Sequence, residues 1–254
     1  QRGVTVMDPE VGALTSGDTG QGRFPETANI LSAFNEIAEI GSDLMGKKVL
    51  VTAGGTREAI DPVRYIGNKS SGKQGYAIAR AALQRGADVT VIAANVSLAP
   101  IAGVRTIEVS SAKQMLERLR EEFVHTDILA MTAAIADARP SQESSAKIKK
   151  SEYIKIDLVE NPDLLADILP LKKDQLIIAF AAESSHDEAE AQRKLASKGA
   201  DILYLNDISH DDIFNSETTY GEIFNLNGSV AKVAKTTKDT LAHQLLDQAL
   251  LQLG

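Results

Sequence analysis

The segment that follows the first predicted strand carries residues that could bind the phosphate of a small molecule. Residues 70–73, Ser-Ser-Gly-Lys, open a predicted helix, and the free N–H groups and the dipole at a helix N-terminus favour an anion. Residues 67–74 nearly match the P-loop pattern GxxxxGK followed by Ser or Thr, but Gln74 stands where that hydroxyl should hold magnesium. The segment therefore predicts an anion site, and the alternative is a plain N-cap at Ser71 followed by an exposed Lys73.

Two further segments have side chains suited to a nucleotide and its charges. Residues 131–137 run from an apolar strand into small residues that let a flat base or a ribose approach the backbone, and Asp137 could hold a ribose hydroxyl or a divalent ion. An ordinary strand-end Asp that caps a turn is the alternative. Lys147, Lys149 and Lys150 could form a mobile cationic lid over a triphosphate, and a solvated run of charge is the alternative there.

A fourth group of polar residues follows the later strands. Lys194 and Lys198 lie one helical turn apart, so both should project to the same side of a helix. Phe180 ends a predicted strand among alanines, where it could stack on a base or pack in the core. Asn206 closes the next strand, and residues 161–165 complete the group. These residues predict a second binding region beside the anion site.

Alternating apolar runs and helical periods predict the elements that must position these residues. Such alternation predicts an α/β fold, a Rossmann-like, doubly wound, mostly parallel sheet with helices on both faces. Ligands in such sheets bind beyond the carboxyl ends of the strands. A dinucleotide site is disfavoured because only Gly54 and Gly55 follow the first strand and residues 58–71 delay the helix. We predict strands over 48–53, 88–93, 127–131, 175–180 and 201–205, and helices over 73–85, 114–123, 188–197 and 238–253.

Composition narrows the classes of protein and of partner. The 254 residues carry a net charge of -8, which disfavours a nucleic-acid surface while allowing a local basic pocket. The chain has no Cys and its four His residues show no HExxH spacing, so catalytic zinc is disfavoured. No apolar run approaches the roughly 20 residues that a membrane helix needs. We therefore expect a cytoplasmic protein that binds small molecules and neither membranes nor nucleic acid.

The first part of the chain differs from the rest. Residues 1–44 are Gly-rich, and we predict a tail with an amphipathic helix over 27–40, a linker at 41–43 and no strand that begins a core. Because the chain opens on Gln1, we expect a piece of a longer protein.

From Lys47 to the C-terminus the chain resembles the phosphopantothenoylcysteine synthetase family, the cysteine-ligating part of a bacterial bifunctional coenzyme A protein. The first of the matching segments, residues 52–79, is highly specific by itself. The resemblance implies domains at 1–44, the end of a flavin-dependent decarboxylase plus a linker, and 45–254, the ligase. The matching segments are TAGGTREAIDPVRYIGNKSSGKQGYAIA (52–79), AAIADARP (133–140), KIKK (147–150), NPDLLA (161–166), FAAE (180–183), the two Lys of 194–198, and ND-S (206–209).

The resemblance implies a reaction, its substrates and a homodimer on a Rossmann-like sheet. The carboxylate of 4′-phosphopantothenate attacks the α-phosphate of CTP in the presence of Mg²⁺, and pyrophosphate leaves. The amine of L-cysteine then attacks the acyl-cytidylate and releases CMP. Neither step needs a protein nucleophile, so the expected work is orientation and charge stabilisation.

Site residues are carried over position by position. The resemblance implies catalytic roles for Arg64 and Asn68, which handle phosphopantothenate and its acyl intermediate, and for Lys147, the lid lysine of the cysteine-adding step. From its residue type, Asp137 is the residue that we predict to hold the metal. For phosphopantothenate the resemblance implies Gly55, Arg64, Asn68, Ser70, Ser71, Gly72, Lys73 and Asn206. For CTP it implies Met131, Thr132, Ala133, Asp137, Lys147, Pro162, Asp163, Leu164, Leu165, Phe180, Lys194 and Lys198.

The chain departs from the family pattern at three positions, with Gly67 where Ser or Thr is usual, Gln74 where Met is common, and Ala138 where an aromatic residue follows the Asp. Residues 12–23 match the C-terminal flap of the decarboxylase, with Ser16 where that family has Cys. The flavin-binding body is absent from the sequence, so we expect neither FMN nor decarboxylase activity.

Three alternatives stay open. The residues also fit a non-catalytic nucleotide-binding domain, and they fit a ligase that uses ATP in place of CTP. An NAD(P) reductase is the least favoured of the three.

Overall fold

The computed structural model describes residues 7, 9–13, 19–27, 29–30, 42–149, 155–183, 188–207 and 216–253. The chain divides into a small unit, Gln1–Asp43, and a large unit, Leu44–Gly254, each compact by itself. Among the described residues, none of the helices has the length and apolarity that crossing a membrane requires.

The small unit contains a β-hairpin that the sequence does not predict. Strands β1 (Glu10–Ala13) and β2 (Thr19–Arg23) pair antiparallel. The Glu10 carboxylate accepts hydrogen bonds from the Glu26 N–H at 3.1 Å and from the Asn29 side chain at 2.5 Å, which ties the hairpin to the segment that follows it. Most of the helix predicted over 27–40 lies outside the described residues.

The large unit alternates strands and helices from Lys48 onward. Its elements are β3 (Lys48–Gly54), β4 (Arg57–Ala59), β5 (Tyr65–Gly67), α1 (Lys73–Gln84), β6 (Asp88–Ala94), β7 (Arg105–Val109), α2 (Ala112–Phe123), β8 (Ile128–Met131), β9 (Ala138–Pro140), β10 (Leu158–Glu160), α3 (Leu164–Ile168) with the 3₁₀ turn Leu169–Leu171, β11 (Leu176–Glu183), α4 (Glu188–Ser197), β12 (Ile202–Asp207), β13 (Thr218–Asn225), β14 (Gly228–Thr237) and α5 (Lys238–Leu253).

Eight of the strands form one sheet in the order β14-β13-β12-β11-β8-β3-β6-β7. The six strands from β12 to β7 are parallel, and β13 and β14 add an antiparallel edge. The parallel strands run outward in both directions from the β3–β8 pair, so the chain reverses its direction of winding there. Ligands in doubly wound folds bind in the crevice at such a reversal. The predicted fold class is confirmed.

The sheet buries an apolar core on each face. On one side Ile78 of α1 and Leu245 of α5 are fully buried against it. On the other side Leu119 of α2, Ile168 of α3 and Leu195 of α4 are fully buried. Helices on both faces explain why the central strands are continuous apolar runs rather than alternating ones.

The start of α1 is set by glycines. Gly72 is its N-cap with a φ of 77°, a conformation that favours glycine, so the alternative of an N-cap at Ser71 is wrong. A Cβ at Gly75 would lie 2.6 Å from the Thr132 hydroxyl and 2.7 Å from the Ala53 Cβ. The first turn of α1 therefore lies directly against the ends of β3 and β8.

The two short hairpins lie outside the large sheet. Strands β4 and β5 pair antiparallel, as do β9 and β10. Because β5 precedes α1 as part of a hairpin and not as a central parallel strand, residues 67–74 do not have the setting of a P-loop.

Candidate functional site

A cavity of about 220 Å³ lies where α1 and α5 begin, and it is called the α1–α5 cavity below. Two helices begin at this wall, one of 12 residues at Lys73 and one of 16 residues at Lys238. The cavity brings together eight of the residues predicted for substrate binding, from both predicted regions. They are Ser70, Ser71, Gly72, Lys73, Thr132, Ala133, Phe180 and Asn206.

A second cavity, of about 430 Å³, lies between the end of β8 and the start of α3 and is called the β8–α3 cavity below. It brings together nine of the residues predicted for CTP. Ala133 and Phe180 line both cavities, so the two spaces share a wall. The nine residues are Met131, Ala133, Asp137, Pro162, Asp163, Leu164, Leu165, Phe180 and Lys198.

The loop between the cavities is held by the strand beside it. The Ala134 N–H donates to the Gly54 carbonyl at 2.8 Å, and the Thr56 N–H donates to the Ala134 carbonyl at 3.1 Å. The hydroxyl of Thr52 accepts from the Ala133 N–H at 3.2 Å. These bonds continue the β3–β8 pairing past the strand ends, so the small residues of the loop keep a fixed backbone.

Sequence reasoning missed the two threonines that fix this loop. Thr52 and Thr56 are fully buried, and the Thr56 hydroxyl accepts from the Ala136 N–H at 2.9 Å. Their partners lie about 80 positions away in the sequence. A buried Thr in an apolar strand gives no local signal of such a role.

Asn68 and Gly55 lie together at the same edge of the sheet. The Asn68 side-chain amide donates to the Ile135 carbonyl at 2.8 Å. A Cβ at Gly55 would lie 2.7 Å from the Asn68 carbonyl oxygen, so only glycine allows this approach. Neither residue lines the α1–α5 cavity or the β8–α3 cavity, but Ile135, which Asn68 holds, lines the β8–α3 cavity.

Arg64 and the Lys147 segment meet through a buried carboxylate. The Asp61 side chain is fully buried, and the hydrogen bonds from the Arg64 guanidinium hold the pKa of the Asp61 carboxyl well below its usual range. Asp61 accepts from the Ile148 N–H at 3.2 Å, while Arg64 donates to the Ile148 carbonyl at 2.8 Å. This Asp61–Arg64 clamp holds both backbone polar groups of Ile148, the residue next to Lys147.

The clamp gives Arg64 a structural role besides the predicted one, which stays a prediction. The predicted contact is with phosphopantothenate, but in the structure the guanidinium binds Asp61 and the Ile148 carbonyl. Lys147 and Lys149 are exposed on the segment that the clamp holds, and Lys150 lies outside the described residues. Arg64 is thus placed to position the lysine segment.

The start of α3 forms one side of the β8–α3 cavity. The Asp163 carboxylate caps this helix, accepting from the N–H groups of Leu165 at 3.0 Å and Ala166 at 3.1 Å. The Asn161 side chain donates to the Ala136 carbonyl at 2.7 Å, which ties this turn to the loop after β8. The backbone that lines this cavity is therefore fixed from two sides.

The two predicted lysines of α4 are placed differently. Lys198, just beyond the helix, lines the β8–α3 cavity. The Lys194 ammonium lies 3.9 Å from the Glu190 carboxylate and does not line either cavity. The structure therefore brings Lys198, but not Lys194, to the cavity wall.

Asn206 is oriented by a chain of hydroxyl groups. The Thr219 hydroxyl donates to the Asn206 side-chain oxygen at 2.9 Å and lies 2.8 Å from the Tyr204 hydroxyl. Because the only proton of Thr219 is used on Asn206, Tyr204 must donate to Thr219. Burial raises the pKa of Tyr204 to about 12, so its proton stays in place near neutral pH.

Phe180 separates the two cavities. Its ring meets the Tyr204 ring edge-on, with 5.6 Å between the centroids, and it is only partly buried. The ring therefore packs against the core on one side and remains accessible from both cavities, which leaves room for both predicted roles.

Comparisons with known proteins agree with this architecture. Residues 44–252 match the family model described as DNA/pantothenate metabolism flavoprotein C-terminal domain. The coenzyme A biosynthesis bifunctional protein CoaBC of Mycobacterium tuberculosis is 40% identical over 264 residues, a match that covers 97% of this chain. The chain spans 63% of the length of that curated relative.

Two solved structures share the fold. The crystal structure of the C-terminal domain of CoaBC is 35% identical with a TM-score of 0.72, and the match covers 84% of this chain and 98% of that one. The DNA/pantothenate metabolism flavoprotein from Streptococcus pneumoniae is 23% identical with a TM-score of 0.71, over 82% of this chain and all of that one. The chain therefore belongs to the family of DNA/pantothenate metabolism flavoprotein C-terminal domains.

Proposed function

We propose that the chain ligates 4′-phosphopantothenate to L-cysteine at the expense of CTP, as one step of coenzyme A biosynthesis. The name of its curated relatives, coenzyme A biosynthesis bifunctional protein CoaBC, supports that pathway. The single observation that carries the proposal is the pair of cavities at one edge of the sheet, which share Ala133 and Phe180 as a wall. The first step of that reaction joins two bound substrates, so it needs two adjoining sites.

We assign the α1–α5 cavity to phosphopantothenate and the β8–α3 cavity to the nucleotide. The first has the N-terminus of α1 and two lysines, Lys73 and Lys238, in its wall, which suit a phosphate monoester. The second has an apolar floor with Met131, and the polar groups of Asp137 and Lys198. The carboxylate of phosphopantothenate then meets the α-phosphate at the shared wall.

The chemistry proceeds in two steps. The carboxylate oxygen attacks the α-phosphorus and a new O–P bond forms. The bond from the α-phosphorus to the bridging oxygen breaks, and pyrophosphate leaves with that oxygen. The cysteine amine then attacks the acyl carbon, the C–O bond breaks, and CMP leaves with the former carboxylate oxygen while the amine loses a proton. The fixed loop at Ala133 orients the reactants, and the exposed Lys147 lies on the segment that we assign to the second step.

Mg²⁺ fits this site as an ion held partly by the substrate. Among the described residues, no three His, Cys, Asp or Glu side chains gather to hold a metal. Mg²⁺ is commonly bound by one or two carboxylates together with phosphates, and Asp137 in the β8–α3 cavity offers one carboxylate. When bound, the ion neutralises charge on the phosphates.

We also propose a homodimer. The hairpins β4–β5 and β9–β10 pack beside each other and expose large apolar side chains. Their exposed fractions are 62% for Val63, 52% for Tyr65 and 51% for Leu158. Exposed apolar patches of this kind commonly mark interfaces, and a second copy of the chain is the partner that the family resemblance implies.

The small unit is proposed to be the end of a decarboxylase domain that lies before the ligase. The match to the bifunctional relative covers 97% of this chain, so it includes much of the small unit. The proposed ligation contains no oxidation or reduction, so it does not use FMN.

Product analysis tests the proposed function. Pyrophosphate should be released only when CTP, phosphopantothenate and Mg²⁺ are all present, and CMP should follow when cysteine is added. ATP run in parallel should be a poorer substrate. Tight CTP binding without turnover in the complete mixture would favour a non-catalytic nucleotide-binding domain. Turnover with ATP at an equal or higher rate would refute the assignment of CTP.

A further inference from the structure

Lys238 is a largely buried residue in the wall of the α1–α5 cavity, with its ammonium still open to solvent. The sequence analysis did not select it. The residue is only 9% exposed. Its backbone is held on both sides, since its N–H donates to the Glu217 carbonyl at 3.0 Å and its carbonyl accepts from the Gln74 side chain at 3.4 Å. Within the described part of the chain, the structure shows neither a hydrogen bond nor an ion pair of the Lys238 ammonium.

The surroundings of this ammonium make the charge costly in the absence of an anion. Burial lowers the pKa of Lys238, and the nearby Lys73 lowers it further, while Glu217 opposes the shift. Lys73 itself pairs with Glu217. Lys238 is also the first residue of α5, and a cation at a helix N-terminus is repelled by the helix dipole.

The lining of the cavity indicates which ligand would relieve this cost. The described residues that line it include Lys69, Lys73 and Lys238 but no Asp or Glu. The first turn of α1 opens here, so its free N–H groups and its dipole favour negative charge beside Lys238. A phosphate dianion is the small ligand whose charge and acceptors match this set.

We propose that Lys238 binds the phosphate monoester of the acid substrate and thereby selects phosphopantothenate over pantothenate. This assignment rests on the proposed function for the identity of the substrate, but the phosphate site itself does not. Lys238 acts as a specificity residue of the α1–α5 cavity, beside the Ser70–Lys73 segment that the sequence predicts.

Substrate discrimination provides the first test. In Lys238→Met the ratio of kcat/KM for phosphopantothenate to kcat/KM for pantothenate should fall about 10- to 100-fold, the range expected for loss of one charged hydrogen bond. The KM for CTP should stay unchanged. Lys235→Met is the matched control, because Lys235 is an exposed residue of β14 that lines neither cavity. An unchanged ratio in Lys238→Met would overturn the proposal.

A second test needs no catalytic activity. At constant ionic strength, inorganic phosphate should raise the Tm of the wild-type chain and of Lys235→Met but not that of Lys238→Met. Equal stabilisation of all three proteins, or of none, would overturn the phosphate site. If phosphate stabilises as predicted but the chain ligates nothing, the site stands and the proposed function falls.

A labelling experiment covers the case in which Lys238→Met does not fold. Wild-type protein is treated with trace acetic anhydride with and without inorganic phosphate, and acetylation of each lysine is quantified by mass spectrometry. Phosphate should slow acetylation of Lys238 at least several-fold and leave Lys235 unaffected. Equal rates at Lys238 with and without phosphate would contradict the proposal.

Discussion

Replacing Thr219 by Val breaks the hydroxyl chain that orients Asn206, and its cost can be worked out from the structure. Thr219 and Tyr204 are 2% and 1% exposed, and their hydroxyls lie 2.8 Å apart. Thr219→Val keeps the shape of the side chain but leaves the Tyr204 donor buried without an acceptor. Such an orphaned group costs about 1–3 kcal/mol, whereas Tyr204→Phe removes the donor itself and costs about 1 kcal/mol.

A double-mutant cycle, measured by urea unfolding, distinguishes coupling between the Tyr204 and Thr219 hydroxyls from simple packing. In Tyr204→Phe/Thr219→Val no hydroxyl is left orphaned between these two positions, so the loss of unfolding free energy should be smaller than the sum of the single losses by about 1 kcal/mol. Thr219→Val should also raise the KM for phosphopantothenate, because Asn206 loses its donor. Losses that add to within about 0.3 kcal/mol would refute the coupling.

The same hydroxyl predicts a dependence of stability on pH. The pKa of Tyr204 rises from 10.0 to about 12 on folding. Because the folded pKa is the higher one, the stabilisation is complete below about pH 10 and is lost as the pH rises through 12. The total is about 3 kcal/mol at 1.36 kcal/mol per pKa unit. The unfolding free energy of wild type relative to Tyr204→Phe should therefore fall by about 2 kcal/mol between about pH 9 and pH 11.5, so that the variant becomes the more stable protein. A constant difference would contradict this.

Three further substitutions probe other parts of the account. Asp61→Asn weakens the clamp, so trypsin should cleave residues 147–149 several-fold faster than in the wild type or in the Glu143→Gln control, and the second step of the reaction should slow more than pyrophosphate release. Gly54→Ala places a Cβ 2.1 Å from a neighbouring carbonyl oxygen at a φ of 85°; urea unfolding should show a loss above about 3 kcal/mol. Lys198→Gln should raise the KM for CTP about tenfold without changing that for phosphopantothenate, and equal changes in both would contradict its placement.

The fold could be predicted wherever burial imposes a period on the sequence. The strand β3 is buried along six consecutive positions, and α5 carries Leu241, Leu245 and Ala249 on one buried stripe, so both elements were predicted within a residue of their observed bounds. The hairpin β4–β5 has strands of three residues with mixed exposure. Elements this short carry no period, and their pairing depends on contacts that the local sequence does not show.

The candidate site could be predicted where a loop follows a strand, and not where the partner is distant. Residues 70–73 open a predicted helix and Asp137 lies in the loop after a predicted strand, so their shared edge of the sheet could be inferred. The Asp61–Arg64 clamp depends on Ile148, 87 positions from Asp61. Lys238 belongs to a polar segment that opens a helix, and only the packing of α5 beside α1 buries it. Such long-range contacts come from the tertiary fold, and one sequence does not reveal them.

Oxygen transfer tests the central claim most directly, that the carboxylate of one bound substrate attacks the α-phosphorus of the other. Phosphopantothenate labelled with ¹⁸O in its carboxylate is incubated with CTP, cysteine and Mg²⁺, and the products are analysed by mass spectrometry. One ¹⁸O atom should appear in each CMP formed, and none in pyrophosphate. CMP without the label, or label in inorganic phosphate together with CDP, would show that the acid does not meet the α-phosphorus.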